Sequence, residues 1–184
     1  QPGTRFMTAK IERFLAEHRP PTPCLIVDLD VVGAAFKATR DALPRAELHY
    51  AVKANPAPEI LRILVALGSS FDAASPDEID RCLAAGASPE CISYGNTIKK
   101  EADIRHAFVR GVRRYAMDSA GELEKIAVAA PGARVYCRIL TSNDGARWPL
   151  DRKFGCAPDM ARDLLIAATG RGLAAEGIAF HVGS

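Results

Sequence analysis

The chain has 184 residues, 48% of them hydrophobic, which is ample for a sizeable core in one domain. Its formal net charge is +2 and its basic residues are scattered, which argues against nucleic acid as the main partner. No apolar run nears the ~20 residues of a membrane span and no signal-peptide pattern opens the chain, so no membrane partner is expected. The five cysteines, Cys24, Cys82, Cys91, Cys137 and Cys156, contain no Cys-x-x-Cys pair. A disulfide framework or a zinc site is therefore not expected, and a reducing cytoplasm is.

In chain order, residues 1–23 read as an N-terminal extension and residues 24–184 as short apolar β runs alternating with amphipathic helices. Cys24 to Leu29 predicts a first strand, and Val31 to Leu43 a helix that Asp30 can cap. Leu48 to Lys53 predicts a strand, closed by Pro56, and the next helix, from Pro58 to Leu67, stops at Gly68. Ser70 to Ala74 is a strand; Ser75-Pro76-Asp77-Glu78 then opens a helix with a capping box and a proline at the first helical position. Cys91 to Tyr94 and a helix from Lys100 to Arg110 follow. Tyr115 to Asp118 leads into a second capping box, Ser119-Ala120-Gly121-Glu122. Val135 to Leu140 and Ile178 to Val182 complete the set.

Strand ends recur about every 21 to 23 residues, the rhythm of a repeated βα unit. Parallel right-handed crossovers leave two closures, a (β/α)8 TIM-like barrel or a doubly wound open sheet, and the uniform spacing favours the barrel. A complete barrel takes about 250 residues, so this one is incomplete, with about six strands. Both ends of the chain, Gln1 and the run out of the last strand, read as cuts in a longer protein. Residues 141–157 break the rhythm as a long loop carrying Trp148-Pro149-Leu150 and Arg152-Lys153-Phe154-Gly155, which reads as either a substrate-side lid or interface, or a loop packed on its own barrel.

Lys53, Asp72, Tyr94, Asp118, Arg138 and His181-Val182-Gly183-Ser184 stand at predicted strand ends, which in a parallel barrel converge on one face. A desolvated lysine there can form a Schiff base with a carbonyl. A phosphate-bearing aromatic aldehyde suits the set: Lys53 for the imine, His181 to stack on the ring, Gly183 and Ser184 to donate to phosphate. Each residue also has a bland role. Asp72 and Asp118 can cap the following helices, Arg138 can pair with Asp72 or Glu78, and His181 can be a core histidine. Gly170-Arg171-Gly172-Leu173-Ala174-Ala175 matches a dinucleotide fingerprint by letter, but it follows a helix and precedes a strand, so it reads as a turn.

Four ordered motifs carry a family resemblance: Tyr50-Ala51-Val52-Lys53-Ala54-Asn55-Pro56, Phe71-Asp72-Ala73-Ala74-Ser75, Arg152-Lys153-Phe154-Gly155 and Phe180-His181-Val182-Gly183-Ser184. From Thr22 onward the chain resembles the pyridoxal-phosphate-dependent ornithine/diaminopimelate/arginine decarboxylases of the alanine-racemase-like fold, ornithine decarboxylase most. The resemblance implies pyridoxal 5'-phosphate as cofactor, carried by Lys53 as an imine. It also implies that Ala51, Asp72 and Arg138 surround the cofactor, His181 stacks on its ring and Ser184 binds its phosphate. The implied activity is decarboxylation of L-ornithine to putrescine, or of L-lysine to cadaverine, in polyamine biosynthesis. A head-to-tail homodimer with shared active sites is implied too, with Lys153 near the interface. The family's glycine-rich phosphate loop, pyridine-nitrogen carboxylate and C-terminal β-domain with its cysteine acid are not found here, so residues 1–184 alone are expected to be inactive. An amino-acid racemase of the same barrel family, or a non-catalytic decarboxylase-like regulator, are the alternatives.

Overall fold

The computed structural model describes residues 7–142 and 153–182. Its contacts divide the chain into two compact units, residues 1–46 and 47–184. The first unit holds helices α1 (Ala9–His18) and α2 (Leu29–Ala42). Asp28, not Asp30, caps α2: its carboxylate accepts from Asp30 N–H at 3.0 Å and from the Thr8 hydroxyl at 2.6 Å. The expected strand at Cys24 to Leu29 is not formed. Residues 24–28 have no regular secondary structure, Leu29 already opens α2, Leu25 is 82% exposed, and among the described residues the stretch pairs with no strand. An apolar run supplies a strand's side chains but not the ladder partner that its backbone groups require.

The second unit is a parallel sheet with helices between successive strands. Strand β1 (His49–Ala51) leads to α3 (Pro58–Ala66), β2 (Ser70–Ala73), α4 (Pro76–Ala84), β3 (Ile92–Tyr94) and α5 (Glu101–Val109). Then come β4 (Arg114–Met117), α6 (Ala120–Ala129), β5 (Arg134–Arg138), α7 (Pro158–Gly170) and β6 (Ala174–Ala179). All six strands pair in parallel in chain order. A doubly wound sheet reverses its order at a switch point; this one never does. It is the singly wound arrangement of an α/β barrel, with six strands among the described residues.

Alternation along the strands sorts side chains between two environments. Phe71, Ile92, Tyr94, Tyr115, Met117 and Val135 are at most 1% exposed and form the core with Leu61, Leu64, Ile79, Ile104, Leu123 and Ile126 of the helices. Each such side chain contributes about 1.5–3 kcal/mol of burial. Tyr115 keeps its hydroxyl satisfied by donating to Val112 O at 3.0 Å.

Both expected capping boxes form by half. Ser75 Oγ accepts from Glu78 N–H and Ser119 Oγ accepts from Glu122 N–H, each at 3.3 Å. The return bonds go elsewhere: Glu78 accepts from Ala74 N–H at 2.7 Å, and Glu122 is drawn to Lys99. The last strand begins at Ala174 rather than Ile178, because β5 imposes ladder pairing on residues whose own β preference is weak.

Candidate functional site

A concavity of about 530 Å³ opens on the other face of the sheet. Its lining alternates along the strands: His49 from β1, Asp72 from β2, Ser93 from β3 and Gly95 just past its end, Arg114 and Ala116 from β4, Tyr136 and Arg138 from β5. Ala179, Phe180 and His181 close it at the end of β6. This is the period-2 logic of a barrel interior.

Lys53 does not lie in the strand. After Ala51 the backbone turns into a short 3-10 segment, Val52–Ala54, which carries the exposed Lys53 side chain just past the C-terminal end of β1. The cause is local. Asn55 precedes Pro56 and is driven extended, with φ −164°. The turn is tied by the Tyr50 hydroxyl donating to Asn55 O, and by Ala57 N–H donating to Asn55 Oδ1, both at 3.1 Å. Ala51 sits directly beside Asp72 in the β1–β2 register.

Asp72 is the electrostatic centre. Burial pushes its carboxyl above the ordinary value, and the charges of Lys53, His49 and Arg138 oppose that push while Glu78 adds to it. Among the opposing charges Lys53 acts most strongly on the carboxyl, although the two form no ion pair. Asp72 does not cap α4; Ser75 does. Gly95 lies so close that a methyl group built on it would overlap the Asp72 carboxylate.

Arg138 stands at the end of β5 with its guanidinium 5.3 Å from the Phe154 ring centre, while Lys153 Nζ lies 5.4 Å from the same ring. Asp118 does not cap α6 either. Its carboxylate accepts from Gly155 N–H at 2.9 Å and so anchors the Lys153-Phe154-Gly155 segment beside the pocket. Cys156 continues the anchor, donating to Arg138 O at 3.0 Å and bridging to Ile139. His181 lines the pocket, and its carbonyl accepts from the Thr141 hydroxyl at 3.1 Å. Ser184, Gly183, Trp148-Pro149-Leu150 and Arg152 lie outside the described residues.

Tyr94 is a correction. It is 1% exposed and faces the helix layer, because its neighbours on either side, Ser93 in β3 and Gly95 just after it, are the ones that line the pocket. Sequence reading also passed over the floor of the pocket. There Arg114 Nε lies 2.8 Å from Glu176 Oε2, and the Tyr136 and Ser93 hydroxyls are 3.0 Å apart. Only the pairing of strands brings these residues together, and no local motif marks them.

A desolvated carboxylate, a guanidinium and an imidazole around one cavity, with an exposed amine just past the end of β1 acting on that carboxylate, fit a planar aromatic aldehyde that also carries negative charge. Comparison with known proteins points the same way. The family model for the pyridoxal-dependent decarboxylase, pyridoxal binding domain, matches residues 29–184. A lysine/ornithine decarboxylase of Selenomonas ruminantium is 44% identical over 166 residues, covering 90% of this chain and 42% of that protein. The crystal structure of a SrLDC mutant in complex with PLP superposes with a TM-score of 0.89 at 43% identity, covering 97% of this chain and 46% of that one. The arginine decarboxylase of Paramecium bursaria Chlorella virus gives a TM-score of 0.89 at 31% identity, over 97% of this chain and 49% of its own. The chain thus spans less than half of each of these relatives. With the strand-end lysine, the parallel barrel strands and the family match in agreement, the chain belongs to the pyridoxal-dependent decarboxylases, as their pyridoxal-binding domain.

Proposed function

We propose that the protein containing this chain decarboxylates a basic amino acid, L-ornithine to putrescine or L-lysine to cadaverine, in the cytoplasm as a step of polyamine biosynthesis. The observation that carries the reading is the desolvated Asp72 carboxylate, in a pocket that Arg138 and His181 also line, under the charge of Lys53 just past the end of β1. The similarity to a lysine/ornithine decarboxylase supports the substrate class, and the five unpaired thiols support a reducing compartment. Bound pyridoxal 5'-phosphate supplies the electron sink that lets an α-carboxylate leave as carbon dioxide.

The chain's own residues do the rest. Lys53 presents its amine as the attachment point, on a turn fixed by Tyr50 and Asn55. Asp72 supplies negative charge beside that amine. Arg138, held against Phe154, supplies positive charge on the far wall. His181 offers a flat face for a ring, Ala51 a small side chain beside it, and Ser184 a hydroxyl for phosphate. Lys153 belongs at the interface of a head-to-tail homodimer.

The test is direct. The full-length protein is loaded with pyridoxal phosphate and offered ornithine, lysine, arginine and diaminopimelate, with diamine and carbon dioxide release measured. Turnover of ornithine or lysine that Lys53→Ala reduces by about a thousandfold or more is the expected result. Racemisation without carbon dioxide release, or no turnover of any of the four by cofactor-loaded protein, overturns the reading.

A further inference from the structure

Lys99 and Glu122 form a buried ion pair beside the site, and neither lines the pocket. Their side chains are 0% and 3% exposed, and Nζ lies 2.9 Å from Oε1. Lys99 Nζ also donates to Asn96 O at 2.8 Å and to Ala116 O at 2.6 Å, so each of its three protons has an acceptor. Glu122 accepts from the backbone N–H of Lys99 at 3.2 Å and meets Lys125 Nζ at 2.5 Å. Lys125 in turn donates to the Lys99 carbonyl.

The segment tied down is the connection between β3 and α5, residues 95–100. Lys99 folds back on its own loop and holds the Asn96 carbonyl to the end of β4 and to α6. Asn96 follows Gly95, whose N–H donates to Ala73 O at 2.9 Å and whose Cα leaves no room for a methyl group against Asp72. The Gly95 backbone is thus a wall on which the Asp72 carboxylate rests. A buried ion pair is a poor source of net stability but a strong geometric constraint, so its consequence here is placement.

We infer that Lys99 and Glu122 are positioning residues of the cofactor site: by pinning the Asn96 carbonyl they hold Gly95 against Asp72 and so fix that carboxylate in the pocket. The consequence for the cofactor rests on the proposed function; the placement of Asp72 does not. Without the clamp the loop yields, the Asp72 carboxylate gains solvent on its Gly95 side as well as from the pocket, and its desolvation is lessened. The charged groups acting on Asp72, namely Lys53, His49, Glu78 and Arg138, are unchanged by that loss.

The experiment uses full-length, cofactor-free protein labelled at the aspartate carboxyl carbons, with the Asp72 signal assigned through Asp72→Asn. Asp72 is titrated by NMR in wild type, in Lys99→Met, and in the double variant Lys99→Met/Glu122→Leu. The double variant keeps volume and leaves no unpaired buried charge, so it folds even where the single one does not. In each folded variant the Asp72 midpoint is expected to fall by about one unit, a tenfold gain in acidity. Affinity for pyridoxal phosphate should weaken about tenfold alongside it. A folded variant whose Asp72 titrates as in wild type overturns the inference, since a merely structural pair would leave that midpoint alone. Wild type that does not bind pyridoxal phosphate instead sinks the proposed function, and the titration still decides the role of Lys99.

Discussion

Asp72 shows how one residue can set stability against function. Its carboxyl is raised by burial, so the folded state holds a proton there more tightly than the unfolded chain does. By linkage, stability then falls as pH rises from the ordinary carboxyl value through the raised one. Above both values the buried charge is a standing cost. Asp72→Asn in cofactor-free protein should therefore melt above wild type at pH 7. The gain should shrink as pH drops and vanish below the ordinary carboxyl range, where both side chains are neutral; thermal melts across pH measure it. Thr97 carries a smaller cost of the same kind. It is 1% exposed, and its hydroxyl is the one buried side-chain oxygen or nitrogen without a hydrogen bond among the described residues. Thr97→Val keeps the shape and removes the orphan, so stability should hold or rise by up to ~1 kcal/mol in urea unfolding.

At the scale of elements, the sequence marks helix starts well and the company of their polar residues poorly. Ser75 and Ser119 cap α4 and α6 as the Ser-x-x-Glu spacing predicts. The two glutamates leave their boxes for other partners: Glu78 for the neighbouring Ala74 N–H, and Glu122 for buried Lys99 across the chain. Asp72 and Asp118, both plausible caps by position, are released for other work by those same serines. The Lys153-Phe154-Gly155 segment is held by such long-range bonds. Gly155 has φ +104°, and a methyl group there would sit 2.9 Å from the Ile139 backbone. Gly155→Ala should cost about 1–3 kcal/mol and loosen Phe154 from Arg138, which urea unfolding and the exchange rate of the Gly155 amide would report.

At the scale of the whole molecule, no helix among the described residues is long and apolar enough to cross a membrane. The proposed homodimer makes Lys153, an exposed cation beside the pocket, sensitive to charge reversal. Lys153→Glu in the full-length protein should weaken self-association by about tenfold or more, read as a shift in the dimer dissociation constant by sedimentation. Preserved dimers at nanomolar protein would remove Lys153 from that interface. The sequence by itself determined the βα rhythm, the serine caps of α4 and α6, the helix-stopping glycines and Lys53 at a strand end, because these depend on residues within a few positions of one another. It also carried the family through four ordered motifs. Tertiary structure alone decided the rest. Among the described residues it left Cys24 to Leu29 without a ladder partner, turned Tyr94 from the site into the core, and built a polar floor from Arg114, Tyr136 and Ser93. It also buried Lys99 and Glu122 together 23 positions apart. The physical reason is common to all four: strand pairing and burial are properties of neighbours in space, and no local spacing in the chain encodes them.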